Sequence, residues 1–208
     1  EELMLTRQSL QLIERYGFGI AIQTKSARIL RDLDVLRRIN ERTKAVVEMT
    51  LTTHDETLCR ILEPNVSTTH QRVAVLETMR DAGIPTVVWL SPILPFINDS
   101  EENLRGLLDD CIRTGVRAIL SFGFGLTLRE GNREYFYRKL DEHFPGLKET
   151  YIRRFGQSYV CLSPNNERLT AILSSVCQQH GILLGVDAVF SYLHTFEVKE
   201  RQLSLFDT

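Results

Sequence analysis

The 208-residue sequence predicts an α/β protein built on a parallel sheet, and three observations carry that prediction. Apolar runs of strand length recur at 18–24, 45–52, 86–91 and 116–122. Amphipathic helical patterns lie between them. The strand–helix–strand unit repeats roughly every 30 residues, the length of a βαβ crossover, which implies parallel strands joined by right-handed connections.

The first run, FGIAIQT, ends on Thr24-Lys25-Ser26, and residues 27–39 then place Ile29, Leu30, Leu33, Leu36 and Ile39 on one helical face. In the second run, AVVEMTLT, alternation sends Val47, Met49 and Leu51 to one side and Glu48, Thr50 and Thr52 to the other. Residues 69–82 form the next helix, with Val73, Leu76 and Met79 inward. Thr68 and Gln71 have the spacing of a capping box, and Gly83 with Pro85 ends the helix. The third run, TVVWLS, is followed by Asn98-Asp99-Ser100, a set of N-caps and a turn for a helix over 101–114 that buries Leu104, Leu107, Leu108 and Cys111. The fourth run is VRAILSF. Helical patterns dominate afterwards, at 132–143 and 165–180, the second with Ser163 as N-cap and Pro164 at the first helical position. The ILLGV run at 182–186 reads either as one more strand or as a buried turn. Residues 1–130 thus carry the βα series, and 131–208 form a mainly helical extension on the same core.

Twenty-five Lys and Arg against 27 Asp and Glu leave a net charge of −2, which supplies no field drawing the whole molecule onto nucleic acid. A local basic groove remains open to such a ligand. A chain of this length buries about 70% of its unfolded surface and needs no disulfide or metal to fold. The four cysteines, Cys59, Cys111, Cys161 and Cys177, form no C-x-x-C pair, which points to a reducing, cytoplasmic compartment. No apolar run approaches the roughly 18 residues of a membrane span, and the first twenty residues show no basic stretch followed by the apolar run of a secretory leader. Leu3, Leu10 and Ile13 are already at helical spacing when the sequence opens on Glu1, so it reads as a fragment.

Parallel strands covered on both faces should be almost continuously apolar, and the second strand is not. The first strand also splits, Phe18, Ile20 and Ile22 from Gly19, Ala21, Gln23 and Lys25. A buried charge is costly unless paired, so Glu48, Gln23 and Lys25 are expected to share a polar lumen. Ligand sites in such folds lie at the C-terminal ends of strands, which here carry Thr24-Lys25-Ser26, Thr50 to Thr53, Ser91-Pro92 and Ser121 to Gly123. They read as a ligand site, or alternatively as helix caps with an internal ion pair. Gly123-x-Gly125 has Leu128 in place of a third glycine, so it is a loop turn before it is a dinucleotide fingerprint. Cys177 and His180 share a helix face but lack a second ligand pair, and core packing is the better account.

The segments GIAIQTKSARILRDLDVL, VEMTLTTHDETLCRILEPNVSTTHQRV and AGIPTVVWLSPILPFIND, in that order, resemble the radical S-adenosylmethionine proteins grouped with spore photoproduct lyase. The resemblance covers about residues 3–122, and the stretch from Tyr159 to Gln202 is similar to the C-terminal region of one branch. It implies a partial (β/α)6 barrel. It also implies an enzyme that cleaves S-adenosylmethionine reductively at a 4Fe-4S cluster to start radical chemistry, with DNA as a candidate substrate. The C-x-x-x-C-x-x-C cluster motif of the group is absent, so its strand and loop are expected upstream of Glu1, and the chain alone is expected to hold no cluster and to be inactive. Carried over by position, Thr24, Lys25 and Ser26 border the polar end of the cofactor, Thr50 and Thr52 meet its ribose or carboxylate, and Ser91, Pro92 and Ile93 lie by the adenine. Glu48 and Ser121 complete the cofactor set, the latter on the sixth family strand. Tyr159 and Cys161 are the nearest counterparts of radical-transfer residues, although their surroundings depart from the lyase pattern and Cys161 also fits core packing.

The tail Gln202-Leu203-Ser204-Leu205-Phe206 resembles the peptide that binds the bacterial sliding clamp, Leu205 and Phe206 filling an apolar pocket while Gln202 anchors the rim. Leu203 belongs to the same anchor; the alternative is a tail folded onto its own body. Two other function classes stay open: a non-catalytic DNA-associated module recruited through that tail, and a lyase using Lys25 as a Schiff-base nucleophile. The 18–24 strand is expected to form an open sheet edge.

Overall fold

The computed structural model describes residues 4–196. Helix α1 (Leu5–Arg15) leads into β1 (Ile20–Thr24), and a 3-10 turn over Ala27–Asp32 runs into α2 (Leu33–Arg42). Then come β2 (Ala45–Thr50), α3 (Glu56–Leu62), α4 (Thr69–Asp81), β3 (Thr86–Trp89), α5 (Glu101–Thr114) and β4 (Ala118–Leu120). The C-terminal part holds β5 (Gly125–Thr127), α6 (Asn132–His143), α7 (Leu147–Phe155), β6 (Val160–Leu162), α8 (Asn166–His180), β7 (Leu183–Leu184) and α9 (Val186–His194).

Five parallel strands stand in the order β1-β2-β3-β4-β7, an open sheet consistent with a partial barrel. The register is regular, with Gln23 beside Glu48, Glu48 beside Val87, and Val87 beside Ala118. Ala118 pairs with Leu183, so the ILLGV run contributes a strand and closes the series. Among the described residues β1 has β2 as its sole strand neighbour and forms the edge.

The alternation in β2 decides which helices go where. Val47, Met49 and Leu51 point into the main core with Leu36, Leu76 and Leu107 from α2, α4 and α5. Val46, Val87, Ala118 and Leu120 face the other way and are covered by Val189 and Leu193 of α9. That helix is pinned at its end by Lys44, whose Nζ donates to the Thr195 carbonyl at 3.0 Å and lies 3.6 Å from the Tyr192 ring centroid.

The caps follow the sequence at α4 and α5. Gln71 and Thr68 bond reciprocally, and the Ser100 hydroxyl accepts from the Asn103 N–H at 3.1 Å. The start of α8 differs from expectation. Ser163 is committed to a bond with buried Asp99 and accepts from the Asn165 N–H at 2.9 Å, so Pro164 lies in a turn and the helix begins at Asn166. Between α5 and α8, β5 and β6 form an antiparallel ribbon beside an aromatic cluster around buried Tyr151, whose hydroxyl donates to the Pro95 carbonyl at 2.7 Å.

Candidate functional site

At the C-terminal ends of β1 and β2, one carboxylate gathers residues from four segments. Glu63, just after α3, accepts from Lys25 Nζ at 2.6 Å on one oxygen and from the Thr52 hydroxyl at 2.7 Å on the other. Arg72 of α4 reaches the second oxygen at 2.9 Å and also donates to the Thr50 carbonyl at 3.0 Å and the Ser67 carbonyl at 2.7 Å. Burial pushes the Glu63 carboxyl up, but the hydrogen bonds from Lys25 and Thr52 and the charge of Arg72 outweigh it, and the group is held below its ordinary value. Three charges therefore meet at the mouth, two positive and one negative, leaving one net positive charge suited to an anionic ligand group.

The cofactor set proposed from the sequence divides between this junction and neighbouring positions. Lys25, Thr50 and Thr52 belong to the junction. Thr24 and Ser26 serve the backbone: the Thr24 hydroxyl accepts from the Ser26 N–H at 3.0 Å, and the Ser26 hydroxyl accepts from the Arg28 N–H at 3.2 Å. Glu48 and Gln23 are register partners on one face of the sheet, but the ion-pair partner of Lys25 is Glu63 and the Glu48 carboxylate turns elsewhere. It is buried and accepts from the Trp89 indole N–H one strand over, while Gln23 is exposed. Ser91 and Pro92 stand at the exit of β3, joined by a cis peptide bond. The Ser121 hydroxyl is buried without a hydrogen-bond partner, an available donor at the end of β4. Asn98 does more than cap a turn, since its amide donates to the Thr52 carbonyl at 2.7 Å and ties the end of β2 to the loop after β3.

Glu63, Arg72 and Trp89 carry no site signal in the sequence, because their roles rest on contacts between distant segments. Arg72 carried one usable signal, a charge on the inward face of the helix opened by Thr68.

A cavity of about 610 Å³ opens past the ends of β3 and β4, between Ser91, Pro92 and Phe122 on the sheet side and Leu126, Val160 and Leu162 of the ribbon. Tyr159 is half exposed at the ribbon's outer end, its phenol held below the ordinary value by hydrogen bonds from Arg129 and Thr127. Cys161 is fully buried, and burial raises its thiol. The residues Gln202, Leu203, Leu205 and Phe206 lie outside the described part of the chain.

The residues present fit the two implied groups differently. Lys25 has three donors and gives one to Glu63, so it can still meet a carboxylate, and the unpartnered Ser121 hydroxyl can meet a polar edge. S-adenosylmethionine thus finds suitable groups. The cysteines do not fit a 4Fe-4S cluster: all four are buried as free thiols, and burial raises Cys177 to about 11 and Cys111 beyond the usual range. Among the described residues no group of three His, Cys, Asp or Glu is arranged to hold a metal ion.

No family model matches the chain. An uncharacterized protein of Mycobacterium tuberculosis is 30% identical over 135 residues, 65% of this chain and 39% of that protein. An uncharacterized protein of Acidianus two-tailed virus is 27% identical over 133 residues, 62% of this chain and 43% of its own length. The chain spans about two fifths of these relatives. In structure, spore photoproduct lyase complexed with dinucleoside spore photoproduct superposes with a TM-score of 0.59 at 18% identity, covering 87% of this chain and 56% of the lyase. A domain of pyruvate-formate lyase-activating enzyme from Bacteroides vulgatus gives a TM-score of 0.56 at 12% identity, over 89% of this chain and 95% of that domain. Streptococcus suis SuiB, bound to S-adenosylmethionine, gives 0.52 at 12% identity, over 86% of this chain and 35% of SuiB. The fold is therefore the one shared by these proteins, and it is the fold that the sequence resemblance implied. Among the described residues no helix is long and apolar enough to cross a membrane.

Proposed function

We propose that this chain forms the later strands of a radical S-adenosylmethionine enzyme of the spore photoproduct lyase-like group, and that Lys25 with Ser91 and Ser121 lines its cofactor site. The observation that carries the reading is the Glu63 junction. It sets a partly exposed ammonium at adjoining C-terminal strand ends, where this fold places ligands, with its charge only partly compensated. The cofactor, when bound, supplies a sulfonium open to reductive cleavage. The chain's own residues hold and orient it: Lys25 takes the carboxylate, Thr50 and Thr52 shape the wall, and Pro92 offers an apolar edge. On this reading the cluster is held by residues other than those of this chain, and the chain alone is inactive. DNA is the proposed substrate, and Gln202 to Phe206 the proposed recruitment peptide for the sliding clamp.

Calorimetric titration of this chain with S-adenosylmethionine tests the reading. Saturable binding, weakened at least tenfold by Lys25→Met and less by Ser121→Ala, is the expected result. Absence of binding, or binding indifferent to Lys25→Met, ends it. Deletion of 202–208 should separately abolish capture of the chain by purified clamp. The Schiff-base alternative is disfavoured because Lys25 engages Glu63 at 2.6 Å, an ion pair in place of the apolar surroundings that free an amine.

A further inference from the structure

We infer that Asn98 and Asn103 are positioning residues for the Glu63 junction: by gripping the Thr52 carbonyl they aim the Thr52 hydroxyl at Glu63, and so set how tightly Glu63 holds Lys25. Among the described residues the last backbone bond between β2 and the strand beside it is made at Leu51, whose N–H donates to the Trp89 carbonyl at 2.9 Å. Past that bond the chain from Thr52 to His54 is held by side chains. Asn98 donates to the Thr52 carbonyl at 2.7 Å and Asn103 to the same oxygen at 3.3 Å, so both of its lone pairs are taken. Thr69 donates to the Thr53 carbonyl at 2.5 Å, and the His54 N–H donates to the Asn103 side-chain oxygen at 2.7 Å.

Both amides are used at each end. Asn98 is buried, and its oxygen accepts from the Leu94 N–H at 2.5 Å while its nitrogen reaches Thr52. Asn103 stands in the first turn of α5 behind the Ser100 cap, and its nitrogen also meets the Asn98 carbonyl at 2.8 Å. A carboxylate of the same shape could accept these N–H groups but could not donate to either carbonyl, so the arrangement requires amides. With the Leu51 N–H fixed on one side and the Thr52 carbonyl on the other, the Thr52 Cα is held at a set angle. Its β-branched side chain has few χ1 states, so that angle decides where the hydroxyl points. The hydroxyl donates to one Glu63 oxygen at 2.7 Å, and the other oxygen holds Lys25. A carboxylate relieved of one donor presents more of its charge to the cations that remain. A Thr52 hydroxyl turned away therefore leaves Lys25 bound more tightly and less able to reach a ligand. That this ammonium meets the carboxylate of S-adenosylmethionine rests on the reading above; the control of Glu63 does not.

Asn103 is half-buried, so Asn103→Ala tests the grip without emptying the core. Carbon-13 NMR of the Glu63 carboxyl in the full chain reads its titration directly. Asn103→Ala should raise the Glu63 midpoint towards the ordinary 4.5, and Thr52→Val should raise it in the same direction. The double variant should titrate like Thr52→Val alone, since an absent hydroxyl cannot be misdirected. A residue that only supports the fold would leave the midpoint in place or add its shift to that of Thr52→Val. Asn98→Ala should act as Asn103→Ala does, and Asn103→Ala decides the matter where the buried change prevents folding. In calorimetry each single variant should weaken S-adenosylmethionine by about threefold to tenfold, the worth of one hydrogen bond, and the Asn103→Ala, Thr52→Val double variant no further than Thr52→Val. An unchanged Glu63 midpoint in Asn103→Ala, additive shifts in the cycle, or unchanged affinity in a chain that binds the cofactor would each overturn the inference. Failure of S-adenosylmethionine to bind the native chain ends the cofactor reading instead and leaves the Glu63 titration to decide this one.

Discussion

Glu63 and Arg72 form one ion pair, Oε2 to Nη1 at 2.9 Å, in which the Arg72 side chain is wholly enclosed and that of Glu63 is 12% exposed. The guanidinium is held by carbonyls from β2 and from the loop before α4, yet its Nη2 has no hydrogen-bond partner. Glu63 is the nearest compensating charge. Glu63→Gln should leave Arg72 buried and uncompensated and should cost about 3–5 kcal/mol. Arg72→Met removes the buried charge together with its need for a partner, so the double variant should lose less than the sum of the two single changes. Urea unfolding of the four proteins measures this cycle; strict additivity would show that the pair is not coupled.

The same carboxyl gives stability a dependence on pH. Its folded value lies below the unfolded 4.5, because the hydrogen bonds from Lys25 and Thr52 and the Arg72 charge overcome the opposing effect of burial. The folded state therefore binds the proton less readily than the unfolded chain. The contribution is complete above the unfolded value and is lost as pH falls from there through the folded value. Between about pH 6 and about pH 3.5 the native chain should lose more stability than Glu63→Gln does. Parallel loss in the two proteins would assign the acid sensitivity to other carboxylates.

The thiols should be inert in the folded protein. Cys111 and Cys161 have no exposed surface, and Cys59 and Cys177 have 1%. Burial raises Cys177 to about 11, so little of its reactive thiolate forms near neutrality, and Cys111 is raised further. Ellman's reagent at about pH 8 should label none of the four before unfolding and all four in denaturant. A thiol that reacts faster than the chain unfolds would contradict the packing role.

How far the sequence was readable depended on how local the determining contacts were. The strands β1 to β4 and their inward faces followed from runs such as AVVEMT, because alternation is a property of neighbouring residues. The Thr68–Gln71 box was readable for the same reason, both partners lying within one turn. The partner of Lys25 was not. Alternation put Glu48 on its side of the sheet, but Glu63 arrives from the far end of α3 and Glu48 is taken by Trp89. The β5–β6 ribbon was missed because each strand has only three residues, too few for a period to declare itself. Helix α9 carries VDAVFSYLH, a segment whose inward face became visible only once β2, β3 and β4 supplied the surface it covers.

Two glycines should lose stability to alanine in different places, and the contrast tests the ribbon. A Cβ on Gly125 would fall 2.5 Å from the Cys161 carbonyl oxygen and 2.9 Å from the Leu162 Cα, both backbone atoms of the paired strand. The ribbon can admit it only by separating, so Gly125→Ala should break the β5–β6 pairing. A Cβ on Gly106, within α5, would fall 2.5 Å from the His54 Cγ and 3.0 Å from its Cβ. Turning the ring moves the first atom but not the second, and the His54 N–H is held by the Asn103 side chain at 2.7 Å, so the segment around His54 has to shift. Gly106→Ala should lower stability despite the helix preference for alanine of about 1 kcal/mol, and it should leave amide exchange in the ribbon unchanged. Gly125→Ala should lower stability by more than about 1 kcal/mol, with amide exchange accelerated over 125–127 and 160–162 while β1 to β4 stay protected. Ribbon exchange no faster in Gly125→Ala than in Gly106→Ala would mean that the ribbon does not depend on the close backbone approach at Gly125.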